Sequence, residues 1–237
     1  MLAIFMRELK AYFYSPIAYA LIGFYIILSS IFFMLINLNP GYPNADFSGN
    51  LSTMGFLLMF IIPILTMKII AEDRKNGTEV LLVTSPASLT NIVLGKYLAS
   101  FTVFLVMTCL TFIYPIITFI FGKPPVAQLI GAYLGFILLG ASFISVGVFA
   151  SSLSENQVVA AVVSFVSLLI MWLMDSIAGF VGGWGAQILN WFSLLSRYDD
   201  FSRGVLNVAP IVYYLSFTAV FIFLTIRVIE KRRWSQG

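Results

Sequence analysis

Residues 72–86 read EDRKNGTEVLLVTSP and lie between two long apolar runs. A charge at the centre of a bilayer costs roughly 2.5–3.5 kcal/mol. Glu72, Asp73, Arg74, Lys75 and Glu79 therefore mark a place where the chain has left the membrane. Asn76-Gly77 predicts a helix stop, because glycine takes the left-handed conformation just after a C-cap without a Cβ clash. Thr78 then suits the cap of a new, short helix with Glu79 in its first turn, filled by Val80, Leu81, Leu82 and Val83. Thr84-Ser85-Pro86 closes it, since the residue before proline resists the α region, and Ser88 or Thr90 opens the next apolar run. A tight connection needs only a few residues. Two readings of the surplus stand: a capped connector on the membrane surface, or a knob on which a cytosolic partner docks.

The rest of the chain sets this loop in an integral membrane protein. Of 237 residues, 60% are hydrophobic and 10% charged, and mean hydropathy is +1.00, whereas soluble domains carry about 25% charged residues. Apolar runs long enough to span predict six helices, over 17–36, 54–70, 91–121, 128–151, 156–174 and 210–229, with Lys68 snorkelling from its span. Residues 1–14 place Leu2, Phe5, Leu9 and Phe13 on one face and Arg7 and Lys10 on another, which predicts an interfacial elbow helix. Its apolar run exceeds a signal h-region and no small-residue cleavage site follows, so no cleavable leader is expected. Residues 175–209, rich in glycine and tryptophan, suit external interfacial or re-entrant-like helices rather than a seventh span. The fold class expected is thus all-α: six spans, an elbow helix, a short cytoplasmic helix and an external segment, in one domain over 1–237.

Charge sidedness agrees. Arg7, Lys10, Lys68, Arg74, Lys75, Lys96, Arg227, Lys231, Arg232 and Arg233 fall on one side of a six-span chain, and Lys123, Arg197 and Arg203 on the other. By the positive-inside rule both termini and the quoted loop are cytoplasmic. The second turn on that side, SSLSENQ, predicts a capping box in which Ser154 caps and Gln157 reaches back, leaving Glu155 and Asn156 exposed to the cytosol. Asp175 is expected to pair with Arg197 or Arg203, Cys109 to be a small core residue, and the Gly131/Gly135 pair to serve close helix packing. A dimer seam or a substrate path remains an alternative for that pair.

The run acidic–acidic…NGTEVLLVTSP resembles the coupling-helix loop of ABC-2-type transporter permeases. IFMRELKAYFYSPIAYALIGFY, GVFASSLSENQVVAAVVSF and FSRGVLNVAPIVYYLSFTAVFIFLTIRVIEKRRW extend the likeness in order, the last being similar to the gliding-motility-associated branch. The resemblance implies a permease half-transporter of the bacterial inner membrane. It would pair with a second copy or paralogue and dock a separate ATP-binding subunit, with a membrane-anchored accessory subunit as a further partner in that branch. Glu72, Asp73, Gly77, Thr78, Glu79, Leu82, Ser85 and Pro86 match the loop motif. Gly77 and Thr78 would shape the loop, Leu82 would dock, and Glu72 and Asp73 would hold it rigid through partner residues. Ser154, Glu155, Asn156 and Gln157 would form a second contact.

Other chemistries lack their residues. Without histidine there is no Ser-His or Cys-His pair, and no HExxH or paired intramembrane aspartate supports a membrane hydrolase. Gly95-Lys96 and Gly122-Lys123 are followed by Tyr97 and Pro124, so neither is a P-loop. This chain is expected to bind no cofactor; ATP and Mg²⁺ would belong to the partner. Nothing points to nucleic acid. A stand-alone carrier or channel is the alternative, weakened by the absence of charge near any span's centre.

Overall fold

The protein is described by a computed structural model over residues 1–38, 46–78, 88–181, 183–184, 191, 193–205 and 207–235. Every extended element among them is an α-helix. In chain order these are α1 (Leu2–Tyr14), α2 (Pro16–Ile36), α3 (Ser48–Thr66), α4 (Lys68–Lys75), α5 (Leu89–Leu110), α6 (Ile113–Phe121), α7 (Val126–Leu153), α8 (Gln157–Val181), α9 (Leu195–Ser202) and α10 (Val208–Ser235). With α3–α4 and α5–α6 each counted as one broken span, six stretches among the described residues are long and apolar enough to cross a bilayer. The all-α membrane fold read from the sequence is the fold observed.

Local chemistry sets the joints. Ser15 is extended and its hydroxyl accepts from the Ile17 amide, with Pro16 opening α2, where proline's missing N–H costs nothing. Ser88 likewise caps α5 through the Asn91 amide. The α5–α6 break falls at Thr111, four residues before Pro115, because a proline ring clashes with the carbonyl four residues back. The Thr111 hydroxyl returns to the Thr108 carbonyl at 2.6 Å and meets the Tyr133 hydroxyl at 3.1 Å.

The core is organised around α7, which packs against α3, α4, α5, α8, α9 and α10. Four glycines let those neighbours approach. A Cβ on Gly131 or Gly135 would stand 2.5 Å from the Phe201 carbonyl oxygen or 2.6 Å from the Phe201 Cβ, both on α9. On Gly140 it would meet the Phe104 ring of α5 at 2.2 Å, and on Gly147 the Thr66 hydroxyl of α3 at 2.2 Å. The Gly131/Gly135 pair thus serves packing within the subunit. The spans α2, α8 and α10 are the peripheral ones, mostly unburied within the chain.

Several local expectations are corrected. The helix after the second turn begins at Gln157, and its cap is Asn156, whose side chain accepts from the Val158 amide at 2.9 Å. Ser154 instead accepts from the Asn156 amide at 3.0 Å, so the Ser154–Gln157 capping box does not form. The fifth span runs on to Val181, taking in the first residues of the expected external segment; α9 is that segment's short helix. Arg197 stacks over the Tyr213 ring at 4.4 Å rather than pairing with Asp175. Leu2 is exposed, whereas Phe5, Leu9 and Phe13 pack on the core as expected. Cys109 is exposed rather than buried.

Candidate functional site

Glu72, Asp73, Arg74 and Lys75 are not loop. They form the last turn of α4, which continues the second span beyond a break at Met67. The break has a specific cause. Ser151, in the last turn of α7, donates its hydroxyl to the Met67 carbonyl at 2.9 Å and accepts from the Ile70 and Ala71 amides at 3.1 Å each. The hydroxyl is inserted into the ladder where Ala71 would bond Met67, and a side chain placed there bends a helix. Pro63, one turn earlier, already removes a donor from the same stretch.

Beyond the break, α4 is held by charge. The Lys96 ammonium of α5 is 3% exposed and lies 2.6 Å from an Asp73 carboxylate oxygen, 3.0 Å from that of Glu8 on α1, and 2.6 Å from the Ile69 carbonyl. Arg7 joins at 3.8 Å from Asp73. Burial of one charge is strongly unfavourable unless such partners satisfy it. Burial also works against the Arg7 charge, but the hydrogen bond to Glu8 and the fields of Glu8 and Asp73 prevail and raise its pKa. One turn along the same α1–α5 seam, the Tyr12 hydroxyl donates to the Leu65 carbonyl at 2.6 Å and meets the Ser100 hydroxyl at 3.1 Å. Complete burial pushes the Tyr12 phenol well above its ordinary value. Glu8 and Tyr12 therefore face Lys96 and Ser100 as two matched four-residue spacings. Gly95 allows this approach, its α-carbon facing Ile4 and the Met1 carbonyl.

The end of α4 matches the expected stop. Gly77 has φ +70, its amide bonds the Arg74 carbonyl at 3.0 Å, and the Asn76 amide bonds Glu72 at 3.0 Å. Thr78 turns its hydroxyl back to the Asp73 carboxylate at 2.9 Å. Arg74 reaches across to Glu155 in the second turn at 2.6 Å. Asp73 thus pairs with Lys96 and Thr78 of its own chain, and Glu155 stays exposed as expected while also bridging to Arg74. Ser154 and Asn156 shape the second turn, and Gln157 opens α8. Glu79, Leu82, Ser85 and Pro86 lie outside the described residues.

The constellation Glu8, Asp73, Lys96 and Ser151 was not singled out from the sequence. It draws α1, α4, α5 and α7 to one point at the basic end of the bundle. No group of three or more metal-ligating side chains occurs among the described residues. At the other end, Asn50, Tyr25 and Ser29 are buried with side-chain polar atoms that make no hydrogen bond within the described protein. Buried polar groups are normally paired, so these three stand apart from most of the core.

Comparison with curated proteins finds no match. The family model described as ABC-2 family transporter protein matches residues 46–228, a span that starts before α3 and ends within α10. The match is to the family as a whole and does not single out the gliding-motility-associated branch. With most of the chain matched and six spans in place, the protein belongs to the ABC-2 transporter family, as a multi-pass permease forming the membrane component of an ABC transporter.

Proposed function

We propose that this permease transmits the work of a separate ATP-binding subunit through residues 72–86 to its membrane helices, for export or for mechanical transmission. Both termini and this end of the bundle face the cytosol of a bacterial inner membrane, and the functional unit holds two permease copies or a copy and a paralogue. The observation that carries the reading is the way α4 is tied. Lys96, Glu8 and Ser151 join it to three other helices, so a push delivered at Gly77 and Thr78 has no slack to dissipate in. Leu82, Ser85 and Pro86 would meet the ATPase, with Glu79 in the docking helix's first turn. Glu155, held by Arg74, would brace the loop from the second turn. ATP and Mg²⁺ stay on the partner, and this chain performs no bond-making chemistry.

The test is co-purification in mild detergent from the native membrane, for wild type and for a Gly77→Pro, Leu82→Asp variant. An ATP-binding protein retained by wild type and lost from a folded variant supports docking at this loop. A folded wild type that brings down no ATPase moves the carrier or channel reading to the front.

A further inference from the structure

Beside the charge cluster lies a cavity of about 290 Å³ lined by Glu8, Tyr12, Ser15, Lys68, Glu72 and Gln157. It sits where the elbow helix meets α2 and where α8 begins, at the ends of two apolar spans. Glu8 is engaged with Lys96 and Arg7, but two of the cavity's charges are unspent. Lys68 lies 5.2 Å from the centroid of the Tyr12 ring, yet makes no ion pair among the described residues. The Glu72 carboxylate, one turn on along α4, makes neither an ion pair nor a hydrogen bond there. The two stand on neighbouring turns and do not bridge each other, so the cavity offers one ammonium and, besides the engaged Glu8, one uncommitted carboxylate.

An apolar track leads away from it into the membrane. Along α3, at four-residue steps from Lys68, come Ile64, Phe60 and Phe56, exposed by 41%, 44% and 40%. Such steps form one ridge of a helix. Bulk lipid would cover exposed side chains in any case. What is particular is a ridge that ends in a cavity whose Lys68 ammonium and Glu72 carboxylate have no ion-pair partner among the described residues.

We propose that this cavity holds the headgroup of one phospholipid carrying both a phosphate and a primary ammonium, with an acyl chain along the Ile64–Phe60–Phe56 ridge. Lys68 and the Gln157 amide bind the phosphate, and Glu72 accepts from the ammonium. A quaternary ammonium cannot donate that bond, and an anionic glycerol headgroup leaves Glu72 facing like charge. The lipid then wedges between α1 and α4, beside the Lys96 cluster.

Native mass spectrometry tests this on the full-length protein, delipidated and then equilibrated with equal amounts of phosphatidylethanolamine, phosphatidylcholine and phosphatidylglycerol. Wild type is expected to retain one phosphatidylethanolamine per subunit, about tenfold over phosphatidylcholine, as one charge-assisted hydrogen bond requires. Glu72→Gln, nearly isosteric, should erase that preference while keeping the fold, and Lys68→Met should lower retention of all three lipids. Lys68→Arg should keep it. Equal retention of the first two lipids, preference for phosphatidylglycerol, or unchanged selectivity in Glu72→Gln would overturn the proposal. So would competition by soluble phosphoethanolamine at the lipid's own concentration, which would make the site one for a free phosphate ester.

Discussion

The Lys96 ammonium sits 2.6 Å from the Asp73 carboxylate, joining a residue inside the third span to one on the helix that extends the second. Glu8 completes the bond from the elbow helix at 3.0 Å. Removing one partner of a buried ion pair costs about 3 kcal/mol, because the remaining charge is stranded. Lys96→Met should therefore lower the thermal midpoint in detergent by that equivalent. Adding Glu8→Gln and Asp73→Asn should recover most of the loss. An unchanged midpoint for Lys96→Met would show that the cluster is solvated and does not hold α4.

The Ser151 hydroxyl governs the bend at Met67. Ser151→Ala leaves the Met67 carbonyl and two amides to re-pair, and one buried hydrogen bond is worth about 1 kcal/mol. The Ala71 amide should close onto Met67 and straighten the helix, moving Gly77 relative to α7. Spin-label distances from the end of α4 to the end of α7 should change in Ser151→Ala and stay fixed in Ser152→Ala, whose hydroxyl bonds only its own helix.

Glycines on α7 and elsewhere should part company. Gly147→Ala forces a Cβ onto Thr66 and should cost about 1–3 kcal/mol by overpacking. Gly23→Ala on α2 meets nothing within 4 Å and should stabilise, since glycine in a helix interior is about 1 kcal/mol worse than alanine. Thermal midpoints of the two variants side by side decide this.

Arg74 and Glu155 form a partly exposed bridge, so either alanine variant should change stability by less than about 1 kcal/mol. Their effect should appear in transmission. Arg74→Glu or Glu155→Arg alone should weaken substrate- or lipid-stimulated ATPase activity of the reconstituted complex, and the double exchange should restore much of it. Failure of the exchange to restore activity would mean the bridge does not brace the loop.

Much of this was legible in the sequence because bilayer physics is one-dimensional. Hydropathy sets the six spans, and Asn76-Gly77 announces a left-handed residue that appears at φ +70. Lys96 was not legible. Between Gly95 and Tyr97 near a span's end it reads as an ordinary flanking charge, and its partners lie 88 and 23 residues away, on helices whose contact no local pattern declares. A signal did exist in the paired spacings Glu8…Tyr12 and Lys96…Ser100, which present a carboxylate and a phenol to an ammonium and a hydroxyl. The Ser154 cap failed for a simpler reason: Asn156 is an equally good N-cap, and only the position where α7 ends decides between them.

On the proposed reading, the end of α4 touches an ATP-binding partner. Cys109 is the single cysteine, so a Cys109→Ser background allows one reporter at a time. Thr78→Cys and, on the opposite side, Lys123→Cys are treated with a membrane-permeant, photoactivatable maleimide in native membranes. Thr78→Cys should cross-link to an ATP-binding protein and Lys123→Cys should not. Cross-linking at residue 123, or none at 78 in membranes that contain the assembled complex, would contradict it.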